Sequence, residues 1–239
     1  MKIIILTTDT NHHKFFINFI SNYFPFYAVI FETTGIQPKF KTKSLFFEKE
    51  KKYEINKFFK FKKANYPKIQ THKFKNINEL KSYKLIRKIN PDLCILFGTR
   101  KVEKNIVQLL KNKLINVHRG ITQNYRGLDS EFWAIKENKF DQIGVTIHYV
   151  TNELDRGDIL EQKLLVLKKN MKIHQLKYYT TLIATELCLQ ILFKIKNNLI
   201  IRKKFIKKGK YYSFMTSLDK NKLEKKFNKF CKILKYEQL

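Results

Sequence analysis

Pro91-Asp92-Leu93-Cys94-Ile95-Leu96-Phe97-Gly98 is a continuous apolar run of strand length closed by glycine. Such a run suits a strand buried on both faces of a parallel sheet. A helix from Asn76 or Asn78 to about Lys88 is expected before it, because an Asx side chain accepts free amide donors at a helix start. Another helix, about Val102 to Asn112, leads into a second buried strand, Leu114 to His118. Toward the N-terminus, Lys2 to Thr8 reads as a strand, Asn11 to Phe24 as a helix with Phe15, Phe16, Phe19 and Ile20 at helical spacing, and Tyr27 to Glu32 as a strand. From Gln37 to Lys68 lysine and phenylalanine interleave, and a helix around Phe46 to Phe61 is expected to lay aromatics on the core. This alternation predicts an α/β domain with a mostly parallel sheet.

Past Gly127 the pattern changes. Asp129 is placed to cap a helix carrying Phe132, Trp133 and Ile135, and the strands Gly144 to Val150 and Asp158 to Leu167 are joined by the turn Asn152 to Gly157 as an edge hairpin. Lys172 to Lys196 reads as a long amphipathic helix covering the sheet. In the lysine-rich tail, Thr216 and Asp219 have helix-capping spacing, and Leu223, Phe227, Cys231 and Leu234 recur at helical spacing, so an ordered extension is expected.

A length of 239 residues suits one main domain. Three cysteines without a CxxC pair argue against a disulfide scaffold and a cysteine zinc site, and point to a reducing compartment. No apolar stretch has signal-peptide or membrane-span length, so a soluble, cytoplasmic protein is expected. The net charge of +29 comes mostly from lysine, with only six arginines among 49 basic residues. Two readings of that surplus stand: A/T-rich codon usage, or a surface that attracts anions such as a polyglutamylated cofactor, a nucleotide-linked substrate or RNA.

Four of the seven glycines, Gly98, Gly120, Gly127 and Gly157, fall at strand ends or turns, which places the tight bends of the chain between residues 98 and 157. In an open α/β sheet, ligands lie beyond the carboxyl ends of strands. Asn116 and His118 are two apart on a strand that ends there, so an amide and an imidazole project to the same side. A carboxylate from the hairpin tip, Asp155, placed beside His118 would favour imidazolium and fix its tautomer, as proton transfer requires.

The ordered segments Asn116-Val117-His118-Arg119-Gly120-Ile121-Thr122, Tyr125-Arg126-Gly127, Phe132-Trp133-Ala134-Ile135, Gly144-Val145-Thr146-Ile147-His148 and Leu154-Asp155-Arg156-Gly157-Asp158-Ile159-Leu160 resemble the catalytic core of the 10-formyltetrahydrofolate-dependent formyltransferases. The match spans roughly residues 84 to 167, whereas the first 80 residues resemble the family only in element order. The resemblance implies a Rossmann-like core, with 1–200 as the catalytic domain and 201–239 as a small basic extension. It also implies a folate-dependent N-formyltransferase with Asn116, His118 and Asp155 in the catalytic positions and no metal. By the same resemblance, Phe97, Gly98, Thr99, Arg100 and the Val150 to Asp155 backbone, Leu154 included, hold 10-formyltetrahydrofolate. His148 is read as a hydrogen-bonding support, and Tyr125 and Arg126 as braces of the loop. Family members commonly have proline a few residues after the histidine, where this chain has Thr122-Gln123-Asn124, so a looser loop is expected.

Within the family the acceptor is set outside the core. Methionyl-tRNA formyltransferases add a barrel domain that the residues after Leu199 are too few to build. Glycinamide ribonucleotide formyltransferases carry a glycine-rich phosphate loop, whereas this chain has Thr7-Thr8-Asp9-Thr10-Asn11-His12-His13. The resemblance is therefore closest to the sugar N-formyltransferases of surface-polysaccharide pathways. Thr8, Asp9, Asn11, His12 and His13 would contact the nucleotide-linked amine, lysines would meet its diphosphate, and a homodimer is left open. The alternatives are the other two acceptors, or a non-catalytic basic RNA-binding protein on the same scaffold. Membrane association is not expected and nucleic acid is disfavoured.

Overall fold

The computed structural model describes residues 1–62, 65–205 and 209–234. The parts of the expected C-terminal extension at 206–208 and 235–239 lie outside the described residues. The elements are β1 (Ile3–Thr7), α1 (Asn11–Ser21), β2 (Phe26–Glu32), α2 (Phe47–Phe59), β3 (Gln70–Phe74), α3 (Leu80–Ile89), β4 (Leu93–Phe97), α4 (Lys104–Leu109), β5 (Leu114–His118), β6 (Tyr125–Gly127), α5 (Ser130–Lys136), β7 (Gly144–Tyr149), β8 (Ile159–Leu164), α6 (Leu176–Lys196), β9 (Lys210–Tyr212) and α7 (Ser217–Ile233).

Among the described residues the main sheet has the order β3-β2-β1-β4-β5-β7-β8. β3 to β5 are parallel, and β7 and β8 form the antiparallel edge hairpin that the spacing predicts. Side chains alternate across a strand, so each strand feeds two cores. Ile3, Ile5, Ile95 and Phe97 join Phe16, Ile17 and Ile20 of α1 on one face. Ile4, Leu6, Cys94 and Leu96 meet Ile86 of α3 and Ile106 of α4 on the other. Burying an Ile or Phe side chain contributes about 1.5–3 kcal/mol, so these two layers dominate the stability.

The chain runs outward from β1 to β3 and returns to β4, which makes the β1/β4 boundary the point where strand order reverses. There Thr7 Oγ1 donates to the Phe97 carbonyl at 2.8 Å, which ties the two carboxyl ends together. A crevice opens beyond them.

Several local expectations are corrected. β3 is an additional strand; its Gln70-Thr71-His72-Lys73-Phe74 sequence is polar because it forms the outer edge of the sheet. Glu79 occupies the cap position of α3 without a side-chain capping bond, its carboxylate accepting from Asn76 N; Asn76 accepts from Asn78 N, and Asn78 from Glu103 N. Asp129 precedes α5 in a left-handed conformation and caps nothing, because its carboxylate accepts from Met215 N and pairs with Lys220. In α2 the buried residues are Glu50 and Glu54, with Phe46 just before the helix reaching the core. The C-terminal segment is ordered where described: Thr216 caps α7, and Leu223, Phe227 and Cys231 enter the larger core.

Candidate active site

A cleft of about 520 Å³ lies over the β1/β4 boundary and the end of β5. Its volume falls in the range of small-molecule sites, roughly 300–1,000 Å³. It is lined by Asn116, His118 and Asp155, by Phe97, Gly98, Thr99, Arg100, Val150 and Leu154, and by Thr8, His12 and His13. Asp9 and Asn11 are not part of the lining. Asp9 accepts from the Tyr66 hydroxyl at 2.6 Å, and Asn11 bonds to Glu54.

Asp155 is the hub. The turn Val150–Asp158 carries it to the tip of the β7–β8 hairpin with φ 51°, a left-handed conformation that aspartate tolerates better than most residues. Gly157 permits the turn, since a Cβ there would lie 1.6 Å from the Tyr149 carbonyl oxygen. The carboxylate accepts from Gly127 N at 2.8 Å and from Asn116 Nδ2 at 3.2 Å. His118 Nδ1 and His148 Nε2 stand 3.6 and 3.4 Å from its oxygens. Burial opposes its ionisation, but the two imidazoles and the Gly127 amide more than compensate, so its carboxyl is held below the usual range.

Cross-strand register explains the assembly. β5 pairs antiparallel with β7 so that Asn116 faces His148 and His118 faces Thr146. His148 donates from Nδ1 to the Tyr149 carbonyl at 2.8 Å, which turns Nε2 toward Asn116 Nδ2 at 3.3 Å and Asp155 Oδ1 at 3.4 Å. Asn116 Nδ2 donates to Asp155 beside the His148 ring, so the side chain is oriented before substrate arrives. His118 donates from Nε2 to the Tyr125 carbonyl at 3.0 Å, leaving Nδ1 toward Asp155.

The loop lacking proline is pinned by hydrogen bonds and is not loose. Thr146 Oγ1 donates to the Gly120 carbonyl at 2.7 Å, and Asn124 Nδ2 to Gln142 at 2.6 Å. Arg126, 7% exposed, donates to the Gly209 carbonyl from Nε at 2.7 Å and to the Leu154 carbonyl from Nη1 at 3.1 Å. The expected brace therefore joins the C-terminal segment to the hairpin tip.

On the opposite wall Arg100 is neither solvated nor free. Its Nε lies 3.0 Å from the buried Glu32 carboxylate, and its guanidinium donates to the Thr34 carbonyl. Gly98, with φ +78°, leaves room for His13: an added Cβ would meet the imidazole at 2.4 Å. His12 and His13 are buried, and burial followed by neighbouring charges holds both well below the ordinary histidine range, so they face the cleft as neutral rings. His12 Nδ1 lies 3.2 Å from Glu54, whose carboxyl burial shifts upward.

Three lining residues had no signal in the sequence. Arg119, next to His118, has a buried Nη1 without a hydrogen-bond partner and no carboxylate within 4.0 Å among the described residues. Tyr211 and Phe214 reach the cleft from the C-terminal segment, where β9 pairs with β6. Nothing local in a three-residue strand announces such a partner.

An amide, two imidazoles and an ionised carboxylate thus meet in a cleft beside the strand-order reversal. A family model described as formyl transferase matches residues 17–187, well beyond the segment legible by motif, and the chain belongs to that family. A methionyl-tRNA formyltransferase of Sulfurihydrogenibium sp. (strain YO3AOP1) is 38% identical over 98 residues, 41% of this chain and 30% of that protein. The chain's match thus spans about a third of the length of such curated relatives. Among solved structures, the formyltransferase PseJ from Anoxybacillus kamchatkensis, in complex with UDP-4,6-dideoxy-4-formamido-L-AltNAc and tetrahydrofolate, superposes with TM-score 0.54 at 20% identity, covering 88% of this chain and 85% of that one. A phosphoribosylglycinamide formyltransferase from Anaplasma phagocytophilum superposes with TM-score 0.63 at 16% identity, covering 90% and 99%. These similarities agree with the α/β formyltransferase fold.

Proposed function

We propose that the protein transfers a formyl group from 10-formyltetrahydrofolate to the primary amine of a nucleotide-linked amino sugar, with Asn116, His118 and Asp155 as the catalytic groups. The observation that carries the reading is the convergence of Asn116 and His118 on the Asp155 carboxylate in the cleft. Apolar Leu96, Phe97, Val102 and Val150 beside the Val150 to Asp155 turn suit a flat pterin and its formyl arm.

The amine attacks the formyl carbon, forming a C–N bond and placing negative charge on the formyl oxygen. Asn116 Nδ2 donates to that oxygen, an effect typically worth ~10² to 10³ in rate. Asp155 takes the proton that the attacking nitrogen sheds, directly or through water, and the proton goes to the folate nitrogen as the C–N bond to it breaks. His118 stabilises the ionised carboxylate and assists as a second donor. Such acid and base help contributes ~10² to 10⁴.

For the acceptor, support comes from Arg119, which brings a guanidinium without an ion-pair partner among the described residues beside His118, from the strongly basic composition, and from the sugar nucleotide named with PseJ. The test is mass spectrometry of products from a panel of nucleotide amino sugars, glycinamide ribonucleotide and charged initiator tRNA, each with 10-formyltetrahydrofolate. Formylation of a sugar is expected, with added salt raising KM more than it lowers kcat. Formylation of either other acceptor and of no sugar would overturn the acceptor assignment and leave the reaction type standing.

A further inference from the structure

The β6–β9 corner gathers five aromatic residues, and they divide into two groups. Tyr212, buried, stacks on Tyr125 with ring centroids 5.5 Å apart and on Trp133 at 5.0 Å, forming the inner face of the corner. Tyr211 precedes it on β9, so strand alternation turns its ring to the other side. It is 52% exposed, lines the cleft together with Phe214, and neither ring has an aromatic partner among the described residues. The corner itself is rigid. Tyr125, Arg126 and Gly127 pair with Lys210, Tyr211 and Tyr212, Leu128 N donates to the Tyr212 carbonyl at 2.9 Å, and Trp133 Nε1 donates to the Ser213 carbonyl at 2.9 Å.

The position of this open face relative to the reaction centre is fixed through Gly127. An added Cβ on Gly127, φ +92°, would meet Tyr211 Cε2 at 2.8 Å, so the ring lies against that glycine's backbone. The amide of the same residue donates to Asp155 Oδ2 at 2.8 Å. With ordinary bond lengths the ring edge is then within about 9 Å of the carboxylate. A nucleobase is separated from the acceptor amine by a sugar ring, two phosphates and a ribose, which is too far for a platform this close to Asp155. The ring that bears the amine is near enough.

We infer that Tyr211 and Phe214 form an acceptor subsite on which the amine-bearing ring packs the face that presents C–H groups, so the C-terminal segment completes the active centre. The inference rests on the acceptor reading above and names the part of that acceptor these rings select. A pyranose with few hydroxyls on one face, as in a deoxy amino sugar, matches an apolar ring surface; a fully hydroxylated one would bury unpaired hydroxyls against it.

The test compares wild type with Tyr211→Ala, Tyr211→Phe and Phe214→Ala, using the sugar nucleotide that wild type formylates, the corresponding nucleoside diphosphate as a sugar-free probe, and folinic acid. Direct binding is measured by calorimetry alongside KM. Tyr211→Ala is expected to weaken the sugar nucleotide roughly tenfold, as loss of an aromatic contact predicts. Tyr211→Phe should restore binding, with the nucleoside diphosphate and folinic acid unaffected. Phe214→Ala, which removes no β6–β9 backbone bond, provides an independent reading of the same face. An equal loss for the nucleoside diphosphate would assign the rings to the base, a loss confined to folinic acid would assign them to the folate, and no loss at all would mean they contact no ligand; each overturns the inference while the acceptor reading survives. If wild type formylates no nucleotide sugar, the acceptor reading itself fails and the inference with it.

Discussion

Replacing Arg126 with alanine removes a guanidinium that bridges the C-terminal segment and the hairpin tip. The side chain bridges the Gly209 carbonyl at 2.7 Å and the Leu154 carbonyl at 3.1 Å, and it is almost fully buried. Hydrogen bonds from a charged donor contribute about 1.5–3 kcal/mol each, and water entering the vacated space recovers part of that, so a net loss of about 3 kcal/mol is expected. For a chain of this size such a loss lowers Tm by roughly 6–12 °C. Activity should fall further than stability alone accounts for. Leu154 adjoins Asp155, whose left-handed backbone costs on the order of 1 kcal/mol and is sustained by the contacts around it. A carboxylate displaced by about 1 Å can cost ~10² in rate, so kcat for formyl transfer should drop by one to two orders of magnitude in protein that is folded at the assay temperature. Arg126→Lys keeps the charge but not the fork that spans both carbonyls, and should recover less than half of the lost Tm. Differential scanning calorimetry and steady-state kinetics read the two effects separately. A Tm within 2 °C of wild type together with unchanged kcat would refute the bridge.

The ionised Asp155 also predicts a pH dependence. Because its folded pKa lies below the unfolded value of about 3.9, its contribution to stability is complete above that value and is lost as pH falls through the folded pKa. Urea unfolding at a series of pH values below 4 should show Asp155→Asn losing stability about 1.4 kcal/mol per pH unit less steeply than wild type, and equal slopes would contradict the assignment. Gly157→Ala should collapse activity with little change in helix content by circular dichroism, because a Cβ 1.6 Å from the Tyr149 carbonyl must push the hairpin tip, and Asp155 with it, out of place. Wild-type kinetics in that variant would show that the tip tolerates displacement.

What could be read from the sequence divides along a physical line. Leu93 to Phe97 and Leu114 to His118 were legible because strands buried on both faces leave an unbroken apolar run, and Asn116 with His118 because strand periodicity places residues two apart on one side. β3 was not, because an edge strand half in water has no reason to be apolar. α2 was legible as a helix but not in what it buries, since Glu50 lies inside only because Lys177 of α6, a residue 127 positions away, supplies the counter-charge. The misread caps have the same origin. Asp129 would cap α5 if the local chain decided the matter, but Lys220 and the Met215 amide, both from the C-terminal segment, claim its carboxylate first.

The candidate site divides in the same way. The half that lies on β5 and the β7–β8 hairpin shows in local spacing, and the wall formed by Phe97 to Arg100 lies where glycine ends β4. The other half is built by contacts over long separations: Arg126 to Gly209, Gly127 against Tyr211, Trp133 to Ser213. None of those pairs has a periodicity, because each joins β6 or α5 to a segment about 80 residues later. A tail that reads as a basic appendage therefore forms a wall of the cleft. The core residues it meets, Arg126 and Gly127, also bond to the Asp155 hairpin, so displacing the tail should disturb Asp155 even though, among the described residues, no tail side chain bonds to that carboxylate.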